Sequence, residues 1–114
     1  MDQYSRTRLL LGEQAMKTLR SARVAVFGLG GVGGYVVEAL ARCGVGALDL
    51  VDHDTISLTN LNRQIIALHS TLGRSKVLVM AERLRDINPA VRITCREMFY
   101  LPENADSIDL AQYD

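Results

Sequence analysis

Apolar residues recur along this 114-residue chain in two rhythms, one helical and one extended. Residues 5–20 alternate basic and apolar positions at helical spacing, and Gly12 breaks the run, which predicts two short helices. Residues 23–27 (RVAVF) are apolar and β-branched on both faces, the pattern of a central parallel strand covered by helices. A glycine-rich turn over 28–34 leads into a predicted helix at 35–43, with Gly44 as its left-handed cap. Residues 47–52 (ALDLVD) predict a second strand, and 53–73 read as loop with one helical turn near Asn60–Gln64. The clearest helix spans 74–88, striped by Val77, Met80, Ala81, Leu84 and Ile87, and Pro89 stops it at Asn88. Residues 91–96 (VRITCR) alternate as a third strand, and a short acidic helix is expected from Pro102 to the end.

Strand, helix, strand, helix, strand implies right-handed crossovers and a parallel sheet. The fold class is therefore α/β, a Rossmann-like parallel sheet with flanking helices. Residues 1–22 form an N-terminal helical arm, and 23–114 a partial Rossmann-like nucleotide-binding domain. Three strands make a thin sheet with a long unpaired edge. A Rossmann half normally continues, so the chain reads as truncated after about three strands. Its length suffices for one core, not two.

Composition refines this picture only slightly. Apolar residues make up 48% of the chain and Trp is absent, so the core must be aliphatic. The formal net charge is zero, which gives no global attraction to nucleic acid or membrane. Locally, residues 1–23 carry Arg6, Arg8, Lys17, Arg20 and Arg23 against Asp2 and Glu13, either a face near phosphate or RNA or a solvated helix face. The last eighteen residues carry five acids and no base. Cys43 and Cys95 sit inside apolar patterns without metal-ligand spacing and read as reduced core thiols of a cytoplasmic protein. No signal-peptide run or membrane span is present.

Three constellations carry chemistry. Gly28-Leu29-Gly30-Gly31-Val32-Gly33 follows a strand and opens a helix, the context in which such a turn cradles phosphate. Glycine permits positive φ and close approach of backbone N–H groups, and the helix N-terminus adds unpaired donors. The same glycines would also serve helix-on-strand packing alone. Asp52 ends the second strand, 19 residues past Gly33, where an acid accepts hydrogen bonds from a ribose diol. The alternative is a turn role within Asp52-His53-Asp54. Those three residues do not read as a metal site, since neighbours on an extended strand point to alternate faces, and His53 and His69 read as solvated. The third constellation is Asn60, Arg63, Gln64 and Lys76. An acid at the ribose position disfavours a 2′-phosphate, so two cations beside it suit a triphosphate, which Arg clamps bidentately and Lys meets as a point charge. Spacing alone leaves open a second arrangement, with Arg63 paired to Asp54 and Lys76 in solvent.

GLGGVG at 28–33, GVGALDLVDHDTISLTNLNRQ at 44–64 and GRSK at 73–76 resemble the ubiquitin-activating-enzyme-like superfamily, which includes adenylyltransferases of molybdopterin and thiamine biosynthesis. The likeness runs from Tyr4-Ser5-Arg6 to about Asn104. NRQIIAL at 62–68 and VMAERLRDINP at 79–89 are most similar to the tRNA threonylcarbamoyladenosine dehydratases within it. The resemblance implies an ATP site in which the glycine turn (Gly28, Gly30, Gly31, Gly33) holds the nucleotide and Asp52 its ribose. Thr59, Asn60, Leu61, Asn62 and Arg63 would line that site, and Asn60, Arg63 and Lys76 would surround the triphosphate. Arg6 would reach across a homodimer to the partner's ATP. It also implies Mg2+ on an aspartate after a further strand, beyond Asp114, so a chain of this length would keep the nucleotide cradle yet lack turnover. The activity implied is ATP-dependent adenylation of a carboxylate, borne by threonylcarbamoyladenosine in tRNA or by the C-terminal glycine of a ubiquitin-like sulfur carrier. An NAD-dependent oxidoreductase would use the turn and Asp52 but leave Arg63 and Lys76 idle, and a non-catalytic dimerisation fragment would use neither.

Overall fold

The computed structural model describes residues 1–114. The elements run α1 (Ser5–Leu11), α2 (Glu13–Ser21), β1 (Arg23–Phe27), α3 (Gly31–Cys43), β2 (Ala47–Val51), α4 (Lys76–Ile87) and β3 (Arg92–Arg96). The three strands are parallel in the order β1-β2-β3, with Val24 opposite Leu48 and Leu48 opposite Ile93. The fold is thus an open Rossmann-like parallel sheet with flanking helices. No helix is long and apolar enough to cross a membrane.

Strand alternation sorts the residues onto two faces. Val24, Val26, Leu48, Leu50, Ile93 and Cys95 point to the face carrying α3 and α4, where Val37, Ala41, Val77, Met80, Ala81 and Leu84 complete an aliphatic core. Arg23, Ala25, Asp49, Thr94 and Arg96 point to the other face, which residues 97–114 cross as a strap. The strap buries Ile108, donates the Tyr113 hydroxyl to Asp49 Oδ2 (2.6 Å), and sets the Asp114 N–H on the Arg23 carbonyl (2.8 Å). Asp49 is almost wholly buried, and a bidentate pair with Arg23 (3.2 and 2.9 Å) offsets the cost of that burial. Burial in turn raises the Tyr113 phenol above its ordinary value, helped by the carboxylate it bonds.

Several expectations need correction. β1 is an edge strand and β2 the central one, so the two-sided apolar run of β1 reflects the strap as much as helices. The expected C-terminal helix is instead two 3₁₀ turns, at Pro102–Ser107 and Leu110–Gln112. Asn104 and Asp109 there accept the backbone N–H groups of Leu101 and Ala111, the local bonding by which such residues compete with a helix. α3 begins four residues early, inside the glycine turn, and α4 begins two late, at Lys76. Cys43 is exposed rather than a core thiol, while Cys95 is half-buried and points its Sγ at the Val77 carbonyl. Arg8, for which sequence offers no role, bridges Asp2 and Glu13 and so ties the arm across Gly12.

Candidate nucleotide site

The site lies at the C-terminal ends of the strands, where β1 runs into the glycine turn. Gly28 has φ +92°, which a side chain resists, and its N–H is held by the Val51 carbonyl at 2.8 Å. A Cβ on Gly33 would fall 1.8 Å from the Gly28 carbonyl oxygen, so the turn closes on itself only without one. Between them Leu29 is fully buried and anchors the turn in the core. No side chain caps α3, and its first N–H groups are left to face whatever occupies the turn.

Asp52 follows β2 directly. Its Oδ2 accepts the Leu29 N–H (2.7 Å) and its Oδ1 the Asp54 N–H (2.8 Å). The carboxylate thus fixes the glycine turn and shapes its own loop, the turn role of the alternative reading, with lone pairs remaining for a hydroxyl ligand. Residues 52–54 lie past the end of the strand, so the argument from alternating faces fails, and their ligand atoms come within 4.8 Å of one another. Within the triplet Asp54 Oδ1 meets His53 Nε2 at 2.9 Å, and Asp52 holds two backbone donors. The aspartate on which the resemblance places Mg2+ lies beyond Asp114 and is not one of these three. His53 is exposed in its loop, as expected, and also stacks on Phe99 with ring centroids 3.2 Å apart.

The polar cluster of the 59–76 region approaches the turn from two sides. Arg63 Cγ lies 4.0 Å from a Cβ built on Gly31, and Gln64 Nε2 lies 3.7 Å from one on Gly30, so both side chains overhang the turn. Arg63 Nη1 donates to the Thr59 carbonyl (3.0 Å) and Asn62 Oδ1 (2.9 Å), which pins the guanidinium and leaves Nε and Nη2 to donate elsewhere. Asn60 is buried, with Oδ1 capping the Ser57 N–H and its carbonyl accepting from Arg63 and Gln64. The Leu61 side chain packs on the core, and Gln64 is buried with its Oε1 enclosed and unpartnered.

Lys76 is the first residue of α4 and is only 5% exposed. Its Nζ makes no hydrogen bond, and the nearest carboxylate, Asp54 Oδ2, is 3.9 Å away. The arrangement with Lys76 in solvent and Arg63 on Asp54 is thereby excluded. Through Asp54 and Asp52 the lysine is linked by successive contacts to the turn itself.

Sequence reasoning missed one wall. Met98, Phe99 and Tyr100 join Phe27, Val51 and residues 52–54 around a cavity of about 270 Å³ beside Gly28, and Phe27 and Tyr100 pack with centroids 4.8 Å apart. The signal was present: half of the four Tyr and two Phe of the chain lie here, two of them just past a strand end. Arg6 is exposed on α1, and Tyr4 packs on Gly44 at the far end of α3, about 18 Å along that helix from the turn. Within its own chain Arg6 does not join the site.

A sequence profile of the ThiF family matches residues 4–114. A tRNA threonylcarbamoyladenosine dehydratase of Bacillus subtilis (strain 168) is 48% identical over 103 residues, covering 90% of this chain and 41% of the relative. A probable adenylyltransferase/sulfurtransferase MoeZ of Mycobacterium tuberculosis is 40% identical, over 97% of this chain and 29% of its own length. The E. coli dehydratase TcdA, solved in complex with ATP, superposes with TM-score 0.90 at 45% identity, covering 92% of this chain and 43% of that one. E. coli MccB, also solved with ATP, superposes at 0.88 with 26% identity over 95% of this chain and 34% of that one. The chain spans about two-fifths of the length of the dehydratases it matches.

Proposed function

The chain belongs to the ThiF family, and from that membership we propose that it forms the ATP-binding part of an enzyme that adenylates a carboxylate. One observation carries the reading: Lys76, nearly buried and without a hydrogen-bond acceptor, beside a glycine turn whose helix N-terminus is uncapped. The enclosed stem of Lys76 holds its ammonium beside the turn with no acceptor of its own, and a triphosphate laid along the turn supplies the anion. Arg63, pinned by Thr59 and Asn62 with donors to spare, would hold a second phosphate. The aromatic cavity beside Gly28 suits a base, and Asp52 a ribose hydroxyl. That relatives of this family have been solved with ATP favours ATP over NAD.

In the reaction, a substrate carboxylate oxygen attacks the α-phosphorus and the bond to the β-phosphate oxygen breaks. Acyl-adenylate and pyrophosphate result. A carboxylate is ionised at neutral pH, so no general base is needed. Catalysis rests on alignment and on charge stabilisation by Lys76 and Arg63, with Arg6 of a second copy reaching in if the chain dimerises. Calorimetric titration of the chain with ATP and with NAD tests the nucleotide assignment, and tighter NAD binding would overturn it.

For the acyl substrate, the dehydratase likeness at 48% identity favours threonylcarbamoyladenosine in tRNA, whose adenylated carboxylate an intramolecular nucleophile would attack to close a ring and release AMP. The 40% likeness to MoeZ supports a second reading, the C-terminal glycine of a sulfur carrier. AMP release in the presence of one or the other substrate separates them.

A further inference from the structure

The opposite end of the sheet holds a second cationic feature that the nucleotide cannot use. At the strand N-termini, the backbone around Gly46 and Ala47 gathers three arginines. Gly46 N–H bonds the Leu19 carbonyl, Ala47 N–H the Ala22 carbonyl, and Arg92 N–H the Gly46 carbonyl. A Cβ on Gly46 would fall 1.8 Å from the Arg20 carbonyl oxygen, so the last turn of α2 presses directly on the strand entrance. Arg20 and Arg92 line one cleft there, of about 210 Å³. Arg92 and Arg23 line the next, and their residues flank Ala47 across the sheet.

The charge balance is uneven. Arg20 and Arg92 are exposed and have no ion-pair partner. Arg23 and Arg96 share the carboxylate of Asp49, and Asp114 sets a second carboxylate on the Arg23 N–H (2.8 Å), which leaves Arg20 and Arg92 as the free cations there; Arg42 and Arg83 share the carboxylate of Glu38, with Asp86 the further acid. Five-residue strands put this notch about 16 Å from the glycine turn, too far for one mononucleotide to touch both. The arginine fork suits phosphate diesters, and the two unpaired forks of Arg20 and Arg92 on one cleft suit successive phosphates of a polymer.

We infer that the Arg20–Arg92 notch docks the phosphate backbone of RNA, at a point separate from the site of adenylation. The choice of RNA over another polyanion rests on the tRNA-substrate reading above, while the notch itself is independent of it. Phosphates seated here would hold the body of the RNA while a distant nucleotide enters the glycine-turn end.

The test is fluorescence anisotropy of a labelled RNA stem-loop titrated with the chain over a series of KCl concentrations. Arg20→Gln/Arg92→Gln should weaken binding at least about tenfold at low salt and flatten the slope of log K against log salt by about 1.4 to 1.8, two contacts' worth of counterion release. Arg74→Gln/Arg85→Gln removes equal charge elsewhere and should change both far less. An equal loss in the two variants, or a wild-type chain that does not bind the stem-loop, would overturn the inference. So would poly-aspartate binding at the notch where RNA does not, which would indicate an acidic protein partner. ATP titration of the same proteins keeps the nucleotide reading apart: it should be unchanged in the Arg20/Arg92 variant, and its failure in the wild type would count against ATP alone.

Discussion

Replacing Lys76 by Met keeps the length of the side chain and removes its charge. At 3.9 Å, the gross attraction between Lys76 and Asp54 is about 4 kcal/mol at an effective dielectric of 20 and about 1 kcal/mol in water. Asp54 is half exposed, so the true value lies toward the lower figure. Against it stands the partial desolvation of the ammonium on its enclosed stem. Without a ligand the pair therefore no better than breaks even, and Lys76→Met should leave the midpoint of urea unfolding unchanged or raise it. ATP binding should respond in the opposite sense. A charge-assisted hydrogen bond to phosphate is worth about 1.5 to 3 kcal/mol, so affinity should fall about 10- to 150-fold, with AMP, which lacks the outer phosphates, much less affected. Calorimetry with ATP and AMP, alongside urea melts, reads both effects. A variant that lost more than about 1 kcal/mol of stability while binding ATP as tightly as before would refute the reasoning, since Lys76 would then be a structural partner of Asp54.

Other outcomes follow from the same geometry. Gly33→Ala puts a methyl group into the Gly28 backbone and should cost about 1 to 3 kcal/mol, read by denaturant unfolding, with ATP binding lost at temperatures where the chain stays folded. Glu38 is buried on α3; desolvation raises its pKa, but hydrogen bonds from Arg83 and Arg42 outweigh that and hold it below the ordinary glutamate value. A depressed carboxylate contributes stability that is complete above its unfolded pKa and is lost as pH falls through the folded one. The stability Glu38 contributes should therefore be lost only at pH below the ordinary glutamate range, and the acid limb of unfolding should flatten in Glu38→Gln, as followed by circular dichroism. In a thiol-reagent assay Cys43 should react at once in the native protein, and Cys95, whose thiol burial pushes up, only after unfolding.

Much of this was legible in the sequence because the informative residues act locally. The strand entering GLGGVG, the stripe on α4 and the β-branched runs each bring their own geometry, and the sheet follows from their order. What escaped depended on residues far apart in the chain. Burial of Lys76 is set by the antiparallel bridge between Thr55 and Ser75, which no spacing rule anticipates. The edge position of β1 and the exposure of Cys43 depend on which helices reach which face. The stacking of His53 on Phe99 escaped because Phe99 is contributed by residues past β3. Asp49 is the one polar residue of β2, and only the register with Arg23, Arg96 and the returning Tyr113 explains it.

The strap across the helix-free face has a dynamic consequence. It lacks α-helix, its peptide groups are mostly exposed, and Ile108 is its one fully buried apolar side chain, the signature of a unit that opens at low free-energy cost. Its first residues also wall the aromatic cavity at the glycine turn. Amide hydrogens from about 98 onward should therefore be the earliest to exchange with deuterium. A base lodged between Phe99 and Tyr100 would fasten that segment and slow exchange as far along as Tyr113, so that filling one end of the sheet would be felt at the free edge of β1.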